Sequence, residues 1–286
     1  RPGTDGLFAF ALIHELLRSD RIDLDYLVRY ANAHWLVIRN PGGADDGLFA
    51  RDAEGKPQCW SRSVSTDVDA FTSPASGRGR DAGAGEGAFE DANATDIHPA
   101  VVGEYTLPDG RIAVPVFQLL AERYLDPQYS PDAVSERCGI SADTIRRIAR
   151  EMAEAAFDSD FSLPIAWTDS WGREHSEMIG RPVAMHAMRG ISAHSNGFHT
   201  CRALHVLQML LGAVDTPGSF RYQPPFPKPL PPANRPGKAR RENGTLDAAP
   251  LGFVHGPEDL VVDANGQPKR IDHAFSWSYP LSAHGL

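Results

Sequence analysis

Side chains that could do chemistry are concentrated in one turn in the second half of the chain. Residues 189–197 read Arg-Gly-Ile-Ser-Ala-His-Ser-Asn-Gly, and further histidines flank this turn at His186, His199 and His205. An imidazole can exchange protons near neutral pH, and an arginine can steer an anion or pair with a phosphate. By residue type alone, Arg189 and His194 fit an anion-handling site and a salt-bridged surface loop equally well.

Metal binding fits these residues less well. His199 and His205 lack the one-turn spacing that a zinc-binding helix uses, and the sequence contains no H-E-x-x-H. Another set of possible metal or acid–base residues, Asp169, Glu174 and His175, follows a predicted strand. Because short polar loops after strands usually only turn the chain, we predict a structural role for them.

A nucleophilic hydrolase is a third possibility. Ser192 and Ser195 lie beside His194, and Asp169 lies upstream, so the residue types of a Ser-His-Asp triad are present. The sequence has no G-x-S-x-G elbow, and adjacent residues in a turn seldom orient as a triad. The pattern therefore disfavours a hydrolase.

The elements around the turn form a predicted strand–loop–helix unit. The apolar run Pro182–Met188 predicts a buried strand, and apolar residues at helical spacing predict a helix from about Phe198. Gly212 marks the end of that helix, and Pro217-Gly218 closes the unit. Such a unit aims backbone N–H groups and a positive helix end at one point. It therefore predicts binding of an anion, most often a phosphate.

A second loop before a helix opens the sequence. The residues Arg-Pro-Gly-Thr-Asp-Gly, at positions 1–6, lead into the apolar run Leu7–Leu17, which predicts a helix. Thr4 or Asp5 is suited to the N-cap position, where a side-chain oxygen accepts a hydrogen bond from the first turn. Capping is therefore the role that the residue types alone predict.

The remaining elements mix helices, strands and irregular stretches, which predicts the α/β class. The predicted elements are helices at Ile22–Tyr30 and Val116–Tyr124 and strands at His34–Ile38 and Leu163–Trp167. The stretch 41–115 is polar and turn-rich, and its lowest predicted order lies at 73–87. Residues 221–286 predict a Pro-rich wrap followed by an irregular segment.

Residues 130–155 imitate a DNA-reading helix-turn-helix. Two predicted helices, Pro131–Cys138 and Ala142–Ala155, meet at Gly139, and Ser141 is placed to cap the second. Arginines on the second helix favour this interpretation. Acidic residues on the same helix and the net charge of −9 oppose phosphate contacts. A DNA-binding regulator is the alternative function, and a structural helical hairpin is the prediction we favour.

Composition and cysteine spacing restrict the class of protein. The chain has 286 residues and 42% hydrophobic content, enough for one large or two modest cores. No apolar run reaches the length of a membrane-spanning helix, and no targeting leader is recognisable. Cys59, Cys138 and Cys201 lie far apart and form no C-x-x-C pair. We therefore expect buried free thiols rather than zinc or iron–sulfur ligands.

The sequence around the turn resembles the molybdopterin oxidoreductases of the dimethyl sulfoxide reductase family. Their large subunits carry a strand, a Gly-x-x-x-His turn with a further Gly, and a helix ending in Leu-x-Gly and Pro-Gly. The matching positions are Gly190, His194, Gly197, Leu210, Gly212, Pro217 and Gly218. The stretch 181–202 is most similar to the sulfite dehydrogenase and thiosulfate or polysulfide reductase branches. A Pro-Gly-Thr-Asp before a helix also recurs in the family.

The resemblance implies a molybdenum ion held by two molybdopterin guanine dinucleotides. Asp5 would hold the guanine, because a carboxylate can accept two parallel hydrogen bonds from its N–H edge. The implied cofactor-binding residues are Gly3, Thr4, Asp5, Arg189, Gly190, Ser192 and Ala193. His194 and Arg189 are the implied catalytic residues, which would hydrogen-bond an oxo group, shuttle protons or steer an anionic substrate.

The resemblance also implies that the sequence is the middle of a larger subunit. In the family, the protein ligand of molybdenum and the cysteines of a 4Fe-4S cluster lie upstream of Pro-Gly-Thr-Asp, so we expect no metal ligand here. Residues 1–160 would belong to one Rossmann-like cofactor-binding domain and residues 161–220 to a second. Long irregular loops would interrupt both domains, and 221–286 would form the Pro-rich wrap.

The implied reaction is oxygen-atom transfer on a sulfur oxyanion such as sulfite, thiosulfate or polysulfide. Electrons would pass to an iron–sulfur partner subunit, and a membrane anchor subunit is a further implied partner. A small anion is the expected substrate, and nucleic acid is not an expected partner. A cytoplasmic location, membrane-associated through partner subunits, is favoured over a periplasmic one.

Overall fold

Helices build the main core of the structure, a computed structural model that describes residues 1–63, 87–95, 97–187 and 189–219. The α-helices are α1 (Asp5–Arg18), α2 (Leu24–Tyr30), α3 (Val116–Tyr124), α4 (Pro131–Cys138), α5 (Ala142–Phe157), α6 (Arg189–Ser192) and α7 (Gly197–Leu210). A 3-10 helix, Pro127–Tyr129, precedes α4. The bounds of α3 and α4 confirm the sequence predictions, and α1, α2, α5 and α7 agree with them to within a few residues.

Helix α1 lies at the centre of this core. Most of its residues from Ala9 onward are buried, and α3, α4, α5 and α7 pack around it. The predicted side-chain cap is wrong. Thr4 is the N-cap residue, but its hydroxyl donates to the carbonyl oxygen of Arg1 (2.6 Å) and accepts no hydrogen bond from the first turn. The backbone of Thr4 (φ −109°, ψ 10°) lies outside the extended region that N-cap residues usually adopt.

Helices α1 and α7 pack side by side and run parallel. Near their first turns, a Cβ on Gly6 would lie 3.0 Å from Oγ1 of Thr200, so the two backbones approach closely there. Beyond their last turns, the backbone N–H of Asp23 donates to the carbonyl oxygen of Leu210 (2.7 Å). The Arg181 guanidinium also donates to the Asp23 carboxylate (2.8 Å). The N-termini of both helices therefore lie at the same end of the pair.

The strands are short and antiparallel. They are β1 (Leu36–Ile38), β2 (Gln58–Arg62), β3 (Gly87–Asp91), β4 (Tyr105–Thr106), β5 (Ile112–Pro115), β6 (Ser162–Leu163), β7 (Trp167–Thr168), β8 (Glu174–His175) and β9 (Met178–Ile179). Strand β5 lies between β1 and β4, whereas β2–β3, β6–β9 and β7–β8 form two-stranded sheets. The predicted strand at His34–Ile38 is confirmed as β1, and the mixture of helices and strands confirms the α/β class.

Two predicted strands are wrong in the described residues. The run from Pro182 to Ala187 forms no strand, and Leu163–Trp167 divides into the ends of β6 and β7. An apolar run of five to seven residues becomes a strand only when neighbouring strands supply hydrogen-bonding partners. In the described part of the chain, no strand pairs with either run along its length. These runs are typical of a sheet interior, and the partners for such a sheet are not among the described strands.

The predicted helical hairpin is confirmed. Gly139 ends α4 in the left-handed region (φ 80°), and the Ser141 side chain caps α5 by accepting from the backbone N–H of Thr144 (3.2 Å). The buried face of α5 packs on α1 through Ile145 and Ala149. Left-handed glycine and a serine cap are the local signals that made this hairpin predictable.

The arginines of α5 form ion pairs along its exposed face. Arg147 pairs with Glu151 (2.8 Å), and Arg146 pairs with Asp132 and Asp143. Paired arginines on a helix whose opposite face is buried in the core do not provide the basic surface that DNA phosphates require. The hairpin therefore has the structural role that we predicted, and the DNA-binding alternative gains no support.

Several predictions fall outside this part of the fold or stay open. Those for 73–86 and 221–286 lie outside the described residues. Helix α7 shares its core with α1 across the predicted boundary at residue 160, and the division of the chain into two cofactor-binding domains stays a prediction. Among the residues that the structure describes, no helix has the length and apolar content needed to cross a bilayer.

Candidate functional site

The shared N-terminal end of α1 and α7 is the candidate site. Both helices are 14 residues long, so each presents a full helix dipole with its positive end at this point. Their N-cap residues, Thr4 and Asn196, make no side-chain capping hydrogen bond. Backbone N–H groups of two first turns are thus left without a side-chain cap at one place, which favours an anion there.

The turn before α7 contains a short helix that the sequence did not predict. Residues Arg189–Ser192 form the single helical turn α6, and the backbone N–H of Gly197 then donates to the carbonyl oxygen of His194 (2.9 Å). The sequence predicts that a Cβ would be obstructed at both Gly190 and Gly197. At Gly197 this prediction is confirmed, because a Cβ there would collide with the Ser192 carbonyl. At Gly190 that prediction is wrong, since its backbone is helical and a Cβ there would meet no described atom within 4 Å.

The structure places most of the predicted site residues on the surface at this end. Asp5 and the turn residues Gly190, Ser192, Ala193 and His194 are exposed or partly exposed. Because Gly6 contacts Thr200, Asp5 and the turn lie at the same end of the helix pair despite their separation in sequence. The side chain of Arg189 lies outside the described part of the structure. The catalytic roles of Arg189 and His194 stay predictions.

The approach to α1 is open around Gly3 and Asp5. Gly3 has a left-handed backbone (φ 78°), and a Cβ there would meet no described atom within 4 Å. Asp5 is an acidic residue in the first turn of α1, where the helix dipole stabilises its negative charge. A carboxylate repels phosphate but accepts hydrogen bonds from N–H groups. Asp5 is therefore suited to a base edge, and the α7 end is suited to a phosphate.

A second polar cluster surrounds Asp169, a residue for which we predicted only a loop role. Its fully buried carboxylate accepts from the Arg29 guanidinium (2.9 Å), from the backbone N–H groups of Trp171 and Arg173 (2.9 Å each) and from His175 Nε2 (3.0 Å). Burial acts to raise the pKa of Asp169. The hydrogen bonds from His175, the two N–H groups and Arg29 outweigh burial and hold this pKa well below its usual range.

This cluster is structural rather than metal-binding. Glu174 lies on β8 opposite Thr168 and is exposed, so it does not join the Asp169 cluster. Within the described ranges, no group of three or more His, Cys, Asp or Glu side chains could hold a metal ion. Arg29, which joins the cluster from α2, lies 140 positions from Asp169, and no local sequence signal pointed to it.

The cysteines behave largely as expected. Cys59 and Cys138 are buried free thiols, whereas Cys201 is partly exposed, which departs from the prediction. Burial raises the pKa of the Cys59 thiol to about 12, so this group stays protonated at neutral pH. A protonated, fully covered thiol is neither a nucleophile nor a metal ligand.

Comparison with known proteins identifies the class to which this chain belongs. The chain is 44% identical, over 298 aligned residues, to a subunit of the sulfite dehydrogenase of Allochromatium vinosum. That match covers 100% of this chain and 28% of the relative. The alpha subunit of perchlorate reductase from Dechloromonas aromatica is 29% identical over 175 residues, which cover 54% of this chain and 18% of the relative.

A third relative extends the same pattern. The formate dehydrogenase-O major subunit of Escherichia coli is 24% identical over 221 residues, covering 76% of this chain and 16% of the relative. No protein-family profile matches the chain. The chain spans about a quarter of the length of the sulfite dehydrogenase subunit that it matches. It belongs to the molybdopterin oxidoreductase family and corresponds to one portion of a large subunit.

The geometry at the shared helix end fits the molybdopterin cofactor of this family. A phosphate-bearing group needs backbone donors and open surface, and the uncapped first turns and exposed turn residues provide both. A planar base with an N–H edge needs a carboxylate beside those donors, and Asp5 is placed there. The described residues therefore hold groups suited to the ends of such a cofactor.

Proposed function

We propose that this chain is the central part of the catalytic subunit of a molybdenum-dependent oxidoreductase that transfers an oxygen atom to or from a sulfur oxyanion. The observation that carries the proposal is the 44% identity to a sulfite dehydrogenase subunit across the whole chain. The convergence of two helix N-termini beside Asp5 supports it independently, because this end is suited to a nucleotide-bearing cofactor.

In this proposal, the chain's own residues orient the cofactor, bind its phosphates and attract the anionic substrate. In the proposal, Asp5 accepts hydrogen bonds from the guanine edge of a molybdopterin guanine dinucleotide, and Gly3 leaves room for that base. Backbone N–H groups of the turn and of α7 hold phosphate oxygens. His194 exchanges protons with solvent, and Arg189 attracts the anionic substrate. When bound, the molybdenum centre supplies the two-electron oxygen-atom transfer.

The finer features of the whole enzyme are also proposals. Two molybdopterin guanine dinucleotides would hold the molybdenum, and a 4Fe-4S cluster would be bound by cysteines outside this chain. An iron–sulfur subunit would accept the electrons, and a membrane anchor subunit would attach the complex to the cytoplasmic side of a membrane. The sulfite dehydrogenase relative is by name one of several subunits, which supports an assembly with other chains.

Replacing Asp5 in the complete subunit tests the proposal. Asp5→Asn replaces one carboxylate acceptor by an N–H donor that opposes the guanine edge, which should cost about 1–3 kcal/mol of binding free energy. Acid hydrolysis of the purified subunit followed by quantification of guanine nucleotide measures the loss, which we expect to exceed half of the content.

The matched control is Asp143→Asn. Asp143 is also an exposed aspartate in a first helical turn, but on α5. We expect this variant to keep wild-type nucleotide content. Equal nucleotide content in both variants would show that Asp5 does not hold the base.

A further inference from the structure

Residues 161–180 form an exposed arm built from two short sheets. β6 pairs with β9 and β7 pairs with β8, so the chain runs out along one side and returns along the other. The backbone N–H of Gly180 donates to the carbonyl oxygen of Phe161 (2.7 Å), which closes the base of the arm. Trp167 Nε1 donates to the carbonyl oxygen of Glu177 (2.9 Å) across its middle.

Both ends of the arm are fixed to the helical core. At the tip, the buried Asp169 carboxylate pairs with Arg29 of α2. At the base, a Cβ on Gly180 or Gly218 would collide with the Phe161 ring, which shows how closely these segments pack. The backbone N–H of Arg181 also donates to the carbonyl oxygen of Pro217 (3.0 Å). The arm is therefore held in one position.

Large apolar side chains of this fixed arm face solvent. The exposed fractions are 61% for Ile179, 49% for Ile165 and 38% for Phe161. Half of the large, exposed apolar side chains in the described residues lie in the arm, a minor part of the chain. Single exposed apolar residues are ordinary, but three of them on one short, fixed segment favour a contact surface there.

The strand pairing shows which way this surface faces. Leu163 and Met178 form one cross-strand pair and are both partly buried, so they point toward the protein. Ser162 and Ile179 form the adjacent pair and are both exposed, because neighbouring residues of a strand point to opposite sides. Ile179 is therefore exposed by the register of the sheet.

We infer that the exposed apolar side chains of the arm dock against polypeptide of the same subunit that lies outside residues 1–286. The chain matches 28% of its 44%-identical relative, so most of that relative's length has no counterpart here. The exposed large side chains of the arm, Phe161, Ile165 and Ile179, are all apolar. Permanent contacts are more apolar than transient ones between separate electron-transfer proteins, so this composition favours a permanent contact within one subunit. The inference goes beyond the proposed reaction and rests only on the chain's being part of a longer subunit.

Photocrosslinking in the complete subunit, purified with its partner subunits, tests the inference. A benzophenone amino acid replaces Ile179, and the control carries it in place of Glu54, an exposed residue of a polar turn. We expect the Ile179 variant to crosslink to a peptide of the same polypeptide outside 1–286 and the Glu54 variant to give no such product. A crosslink to a different subunit or to a second copy would overturn the assigned occupant, and no crosslink would overturn docking.

A second measurement avoids dependence on the bulky probe. Ile179→Cys and Glu54→Cys in the complete subunit react with a maleimide, and mass spectrometry follows the rate at each position. We expect the thiol at 179 to react at least about tenfold more slowly, because the arm is covered. Equal rates at the two positions would show that the arm stays exposed, and the inference would fail.

Discussion

Asp169→Asn is the substitution for which the structure gives the clearest expected effect. The Asp169 carboxylate has no exposed surface and accepts four hydrogen bonds, two from charged or chargeable side chains and two from backbone N–H groups. Asparagine keeps the shape of the side chain, but it removes the negative charge and turns one acceptor into a donor. Arg29 then loses its buried counter-charge.

The expected cost follows from the location of the cluster. Breaking a buried ion pair costs about 3–5 kcal/mol, whereas an exposed pair contributes about 0–1 kcal/mol. Asp169 is covered mainly by its own donors at the tip of an exposed arm, so solvent screens the pair in part. We therefore expect a loss of about 2 kcal/mol, which is roughly a 30-fold change in the opening equilibrium of the arm.

Hydrogen exchange measures this effect directly. The backbone amides of Trp171 and Arg173 should exchange about 30-fold faster in Asp169→Asn. Asp25→Asn is the matched control, because Asp25 also pairs with Arg29 but is largely exposed. That variant should change the exchange rates of the same two amides by less than about threefold. Equal effects of the two substitutions would refute the reasoning from burial.

The pH dependence of this difference has a defined sign. Because the pKa of Asp169 is depressed in the folded state, its contribution is fully present above the unfolded value of 3.8. The contribution is lost as pH falls through the lower, folded pKa. The difference between wild type and Asp169→Asn should therefore be constant from neutral pH down to mildly acidic pH and shrink only under strongly acidic conditions.

Two further predictions concern the helical hairpin and a buried histidine. Gly139→Ala places a Cβ at φ 80° and should destabilise the chain by about 1–2 kcal/mol in urea unfolding, whereas Gly190→Ala, at an ordinary helical position, should not destabilise it. Burial lowers the pKa of His34, although its hydrogen bond to the Ala92 carbonyl oxygen (2.8 Å) partly opposes this shift. The free energy of unfolding should therefore fall as the pH drops below 6.5, the pKa of His34 in the unfolded chain. His34→Asn should make that decline less steep, whereas the control His199→Asn, at an exposed position, should leave it unchanged.

Local sequence signals predicted the helices well, because a helix makes its hydrogen bonds within itself. The apolar spacing before Tyr124, the left-handed Gly139 and the Ser141 cap all act over a few residues. The predicted strand at Pro182–Met188 is wrong over the described residues 182–187, because local signals do not decide whether a strand forms. A strand depends on partners that are distant in sequence, and the described strands pair elsewhere.

At the candidate site, too, local motifs were predictable from the sequence, whereas contacts between distant residues were not. Asp5 and the turn at 189–197 were predicted from a family resemblance, and each was located by its own sequence motif. Their meeting depends on the parallel packing of α1 and α7, which the contact between Gly6 and Thr200 establishes. The role of Asp169 was underestimated because one of its partners, Arg29, lies 140 positions away in the sequence.

Metal and nucleotide analysis of the complete purified subunit tests the central claim most directly. The account predicts molybdenum together with guanine nucleotide in a ratio of about one to two, set by two dinucleotides on one metal. It also predicts sulfite-dependent reduction of an artificial electron acceptor. A well-folded complete subunit without molybdenum and guanine nucleotide would contradict the account.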